Sequence, residues 1–116
     1  KTSTTVTAAQ PLEERVLARW QALIEKRYPD VYEYTTPAYR SVTSYEAYIG
    51  QFAEQINRTA ANIKTVNKVE PNLAKVRLAI DYEYSGFEDA IVRSTMHLED
   101  TWVRRNGTWY RLEDNS

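Results

Sequence analysis

In the first half of the chain the apolar positions recur at helical spacing. Leu12, Val16, Trp20, Leu23 and Ile24 follow one another at steps of four, four, three and one. Pro11 suits a first turn, where its missing N–H costs nothing, and Glu13 and Glu14 complement the positive end of the helix dipole. Lys26 and Arg27 close the far end, so the pattern predicts an amphipathic helix of about 16 residues from Leu12 to near Tyr28. Pro29 disfavours a helical residue before it, and a polar and aromatic linker is expected to follow. A second helix is predicted from Thr43, which forms a capping box with Glu46; behind it Tyr45, Tyr48, Ile49, Phe52, Ala53 and Ile56 lie on one face.

The second half of the chain changes period. A weakly alternating strand is expected over 62–69, Pro71 and Asn72 turn the chain, and Val76, Leu78, Ile80, Tyr82 and Tyr84 alternate cleanly. "SGFEDA" turns it into a long strand from about Ile91 to Arg104, and Asn106-Gly107 turns it once more into "TWYRLE". Helices followed by an antiparallel meander define the α+β class. Pairing Leu78 with Leu98 and Ile80 with Met96 also brings Arg77 against Glu99 and Glu83 against Arg93. A slip of one residue loses all of these pairs, each worth about 0.2–1 kcal/mol. For the last hairpin a three-residue loop, Arg105 to Gly107, is expected. It sets Trp102 opposite Tyr110, on the same face as Met96, Leu98 and Leu112.

Composition narrows the class further. The chain has 116 residues, enough for one domain (11–116) behind a Thr- and Ala-rich stretch, 1–10, read as a flexible tether. With 15 basic and 16 acidic residues it lacks the cationic excess of a nucleic-acid binder. It has no cysteine, and no apolar run approaches the roughly 20 residues that span a bilayer. The leader-like first residues favour a bacterial periplasm or cell envelope over the cytoplasm.

The register puts one residue out of place. Asp100 falls on the apolar face between Leu98 and Trp102, where a carboxylate costs several kcal/mol unless it is paired, hydrogen-bonded or wetted. Either a β-bulge rotates it outward, or it lines a polar cavity with donors from the helical half. In the second case it is a candidate general base. Six of the nine tyrosines lie between Tyr28 and Tyr48. Tyr45 and Tyr48 belong to a helix face and Tyr28 and Tyr39 flank bends, leaving Tyr32 and Tyr34 as the expected donors to a ligand or to Asp100. The predicted pocket is Tyr32, Tyr34, Tyr48, Tyr82, Ser94, Asp100 and Trp102. His97, the only histidine, falls on the opposite face without a ligand cluster, so neither metal nor cofactor is expected. That outer face, with Ala79, Thr95, His97, Val103 and Trp109, is the expected homodimer surface, because it gathers exposed apolar side chains.

"TPAYRSVTSYEAYIGQF" followed by a meander closing on "DTWVRRNGTWYRL" resembles the nuclear transport factor 2-like superfamily, from about Leu12 to Leu112. The resemblance implies a cystatin-like α+β cone: N-terminal helices packed on a strongly curved antiparallel β-sheet, a pocket at the open end and dimerisation through the outer sheet face. Its members include isomerases, cyclases, dehydratases and small envelope proteins, so fold alone does not choose a function. The leading expectation is a non-enzymatic domain whose aromatic-lined cone holds a small apolar ligand or is filled by side chains. The alternatives are a cofactor-free isomerase, cyclase or dehydratase using Asp100, and an assembly module of a larger envelope complex.

Overall fold

A computed structural model describes residues 11–52 and 56–113. Helix α1 (Leu12–Ile24) is followed by α2 (Tyr28–Tyr32), α3 (Pro37–Val42) and α4 (Tyr45–Ile49). The strands β1 (Ile56–Glu70), β2 (Leu73–Ser85), β3 (Ile91–Arg105) and β4 (Thr108–Arg111) come after them. The helices thus precede a four-stranded, curved antiparallel sheet in the order β1-β2-β3-β4, an α+β fold. Register shifts at Arg58/Ala60, Ile63/Thr65 and Lys68/Glu70 let β1 bend around the helical layer.

The first helix stops at Ile24, short of the Tyr28 expected from its period, because Lys26 takes a left-handed conformation (φ 60°). There its N–H donates to the Leu23 carbonyl at 3.1 Å, and the Arg27 N–H reaches back to Ala22 at 2.8 Å. This is a Schellman closure with lysine where glycine is usual. Replacing Lys26 with glycine should relieve the strain and raise the unfolding free energy by up to about 1 kcal/mol in a urea titration.

The linker is more ordered than the sequence suggests. Thr36 caps α3 by accepting from the Tyr39 N–H, with Pro37 at the first helical position. The expected capping box at Thr43 and Glu46 does not form. Ser44 is the cap and accepts from the Ala47 N–H at 3.1 Å, while the Thr43 carbonyl accepts from the Tyr32 hydroxyl. Helix α4 ends at Gly50, and Ile56, placed by its spacing on a helix face, opens β1 instead. Ala53 lies outside the described residues. Among the helix-period aromatics Tyr45 and Phe52 are half-buried, and Tyr48, fully buried, packs against Tyr32, Tyr39 and Phe52 with ring centroids 5.4, 6.0 and 5.3 Å away.

The β2–β3 register follows the alternation. Leu78 pairs with Leu98 and Ile80 with Met96, and the outward Arg77–Glu99 and Arg93–Glu83 pairs stand at 3.7 and 3.4 Å. The last hairpin differs from expectation by one residue. Arg105 pairs with Thr108 across a two-residue loop in which Asn106 and Gly107 both have positive φ (53° and 82°), the turn that matches strand twist. Trp102 therefore faces Arg111, and Tyr110 faces Val103. A shift of one residue exchanges the faces of β4, so Trp109 enters the core and Leu112 is left exposed. Gly107→Ala should cost about 1 kcal/mol, read as a lower denaturation midpoint at unchanged m-value, because alanine strains at this φ.

Candidate functional site

The inner face of the sheet, covered by α1, holds the unusual chemistry. Arg15 and Arg19 stand on the same side of α1 as Leu12, Val16, Trp20 and Leu23, and both are buried. Asp100 extends from β3 toward them with only 1% of its surface exposed, and the β2–β3 register runs through it without a bulge. Its two oxygens are each engaged. The Trp20 Nε1–H donates to Oδ2 at 3.0 Å, and the Arg111 Nε–H donates to Oδ1 at 3.0 Å. Arg111 also donates from Nη1 to Glu113 at 2.8 Å, and the Glu113 side chain is itself buried. Burial alone would lower the Arg111 pKa, but Asp100 and Glu113 outweigh it and hold the guanidinium above its ordinary value.

Arg19 lies in the same layer. It is 2% exposed, its guanidinium sits 4.9 Å from the Trp20 ring, and Nη2 reaches the Tyr48 hydroxyl at 3.5 Å. Burial lowers its pKa first, and the charge of Arg111 lowers it further, against smaller opposing effects from Tyr48 and Asp100. Burial in turn raises the Tyr48 pKa, so that hydroxyl stays neutral. Arg58 projects from β1 to within 5.8 Å of the Phe52 ring; burial lowers its pKa, Tyr28 opposes the shift, and the charge of Arg19 adds to it. Arg15 leaves this layer: its Nε–H donates to the Trp109 carbonyl at 3.0 Å and its guanidinium stacks 4.5 Å from the Tyr34 ring.

The residues proposed from sequence as a pocket are not all together. Asp100, Trp102 and Tyr48 are buried on the inner side. Tyr32 and Tyr34 are near them but do not serve Asp100. The Tyr32 hydroxyl is spent on the Thr43 carbonyl, and the Tyr34 ring packs at 68° against Trp102, with centroids 6.4 Å apart. Tyr82 and Ser94 pair with each other far along the hairpin, about 20 Å from Asp100 at 3.4 Å per residue. They line a separate concavity of about 390 Å³ with Thr59, Asp81 and Arg93. A second concavity, about 510 Å³, runs between α1 and α2 past Arg15, Gln21, Arg27, Asp30 and Tyr34.

On the outer face Thr95 and His97 are exposed, and the Thr95 hydroxyl donates to Asp81 at 2.6 Å. Ala79 and Val103 lie there too but are 5% and 4% exposed. Trp109, expected on this face, is 4% exposed in the core with Arg104 stacked 5.3 Å away. The outer face is thus more polar than the sequence suggested. Among the described residues no three His, Asp or Glu side chains group around a metal position.

Sequence reasoning missed Arg19, Arg58, Arg111, Glu113 and the role of Trp20. The signal for Arg19 was present, since it stands seven residues after Leu12 and four before Leu23. That spacing puts a cation on the buried stripe of α1.

No protein-family model matches the chain, and no curated protein matches it in sequence. Solved structures do resemble it. One is the solution structure of a SEC-C motif containing protein from Rhodopseudomonas palustris, 18% identical, with a TM-score of 0.71 over 94% of this chain and 80% of the other. Another is the CaMKII hub homology domain of Chlamydomonas reinhardtii, 13% identical, with a TM-score of 0.57 over 87% of this chain and 90% of the other. At such identities the likeness is one of fold.

Proposed function

We propose that this chain is a non-enzymatic domain of the nuclear transport factor 2-like kind that holds a small ligand between α1 and the curved sheet. The hub neighbour and the α+β architecture are compatible with that fold. The observation that carries the reading is the state of Asp100. It is the carboxylate that β3 directs inward, and both of its oxygens are already bound, one of them to a guanidinium. A buried carboxylate held in this way has no path to a substrate proton, which a general base must reach within hydrogen-bond distance. What remains on the inner face is aromatic surface and donors without partners among the described residues, such as Nε and Nη1 of Arg19, the kind of polar group that fixes a ligand's orientation. The test is α-carbon deuterium exchange in a panel of ketones, followed by NMR. No exchange above the buffer rate is expected; exchange that disappears in Asp100→Asn would establish the isomerase-type alternative instead.

A second reading, an assembly module, draws on the hub neighbour and on the exposed outer face around Thr95 and His97. It predicts a dimer or larger assembly in sedimentation equilibrium that His97→Glu weakens. A monomer at all concentrations would remove this reading.

A further inference from the structure

Unmet hydrogen-bonding capacity is concentrated on one part of the inner face. Among the described residues, Nε and Nη1 of Arg19, Nε of Arg58, the Tyr28 hydroxyl and, on β3, Nε1 of Trp102 are buried without a hydrogen-bond partner, so four of the five atoms belong to Arg19, Arg58 and Tyr28. The two guanidinia flank one aromatic cluster: Arg58 lies 5.8 Å from the Phe52 ring, and Arg19 reaches the Tyr48 hydroxyl at 3.5 Å. A buried cation without a partner is disfavoured, and proteins that keep one generally use it. The two carboxylates nearest this layer are already engaged, Asp100 by Trp20 and Arg111 and Glu113 by Arg111. The surroundings are apolar: Tyr28 stacks on Phe52 at 5.6 Å, and Phe52 meets the fully buried Tyr48 at 5.3 Å.

We infer that the inner face binds a compact organic carboxylate, its oxygens accepting from Arg19, Arg58 and the Tyr28 hydroxyl and its apolar body lying against Phe52 and Tyr48. The inference rests on the ligand-binding reading above and names the ligand's chemical class. A charged acceptor is what the guanidinium donors lack, and hydrogen bonds to charged groups are the stronger kind.

The experiment compares benzoate with its neutral isostere benzamide, and both with inorganic phosphate, in thermal melts at constant ionic strength. At ten times its Kd, benzoate should raise the midpoint by about 6 °C for a chain of this length, and benzamide and phosphate should not. Arg19→Met should melt no lower than the parent without ligand, since it removes an unpaired buried charge, and should lose the benzoate shift. Arg58→Gln, at a less buried site, should weaken benzoate binding roughly tenfold, the loss of one charge-assisted hydrogen bond. Full benzoate affinity in either variant would overturn the inference, as would a phosphate shift larger than the benzoate shift. Equal shifts with benzamide in parent and Arg19→Met would overturn it while leaving the ligand-binding reading in place. No shift with any of the probes would remove both.

Discussion

Replacing Asp100 with alanine is expected to lower the unfolding free energy by about 3–5 kcal/mol, the range for removing one member of a buried ion pair. The loss comes from what is left behind. Arg111 keeps Glu113 but loses its fully buried acceptor at 3.0 Å, the Trp20 indole N–H loses its only partner among the described residues, and Arg19 loses the nearby negative charge. Asp100→Asn should fall between parent and alanine, because an amide oxygen still accepts from Trp20 while the charge is gone. Urea titration measures both, and a cost below about 1 kcal/mol for the alanine variant would place Asp100 among ordinary surface residues.

The second large effect is expected at Trp102, which is fully buried opposite the inward Arg111. Trp102→Ala opens a cavity between β3, Tyr34 and the helical layer and should cost about 3–5 kcal/mol. Trp102→Phe should cost far less, about 1 kcal/mol, for a reason specific to this site: the Trp102 indole N–H is buried without a partner among the described residues, so phenylalanine loses volume but also sheds an unsatisfied donor. Equal losses for the two variants would mean that the indole N–H has an acceptor.

The comparison of Trp102 with Leu98 shows where the sequence was readable. Leu98, Met96, Arg77 and Glu83 fell into register because apolar alternation and charge pairing agreed over the same strands, and a slip would have broken both. The last hairpin offered no such redundancy. Its fourth strand is short, and Asn106-Gly107 satisfies either a three-residue loop with glycine left-handed or a two-residue loop with both residues left-handed. The choice turned on one residue, and with it went the faces of Trp109, Tyr110 and Arg111. Asp100 was legible as an anomaly, but its partner was not, because the loop that directs Arg111 inward was the uncertain one. In the helical half, spacing marked which aromatics are buried, not which segments are helical. Tyr48 kept its burial, with Tyr45 and Phe52 half-buried beside it, while the segment carrying them broke at Gly50 and gave Ile56 to the sheet. Arg19 was overlooked because long side chains at helical spacing usually snorkel to water; here the sheet closes over it.

The assignment of Asp100 to Arg111, rather than to a substrate, is tested most directly by a double-mutant cycle in which the unfolding free energies of Asp100→Asn, Arg111→Met and the double variant are compared. The buried ion pair predicts a coupling of about 1.5–3 kcal/mol, the upper part of the range for residues in one network. A coupling below about 0.5 kcal/mol, within the scatter of independent sites, would contradict it and return Asp100 to the set of residues free to do chemistry.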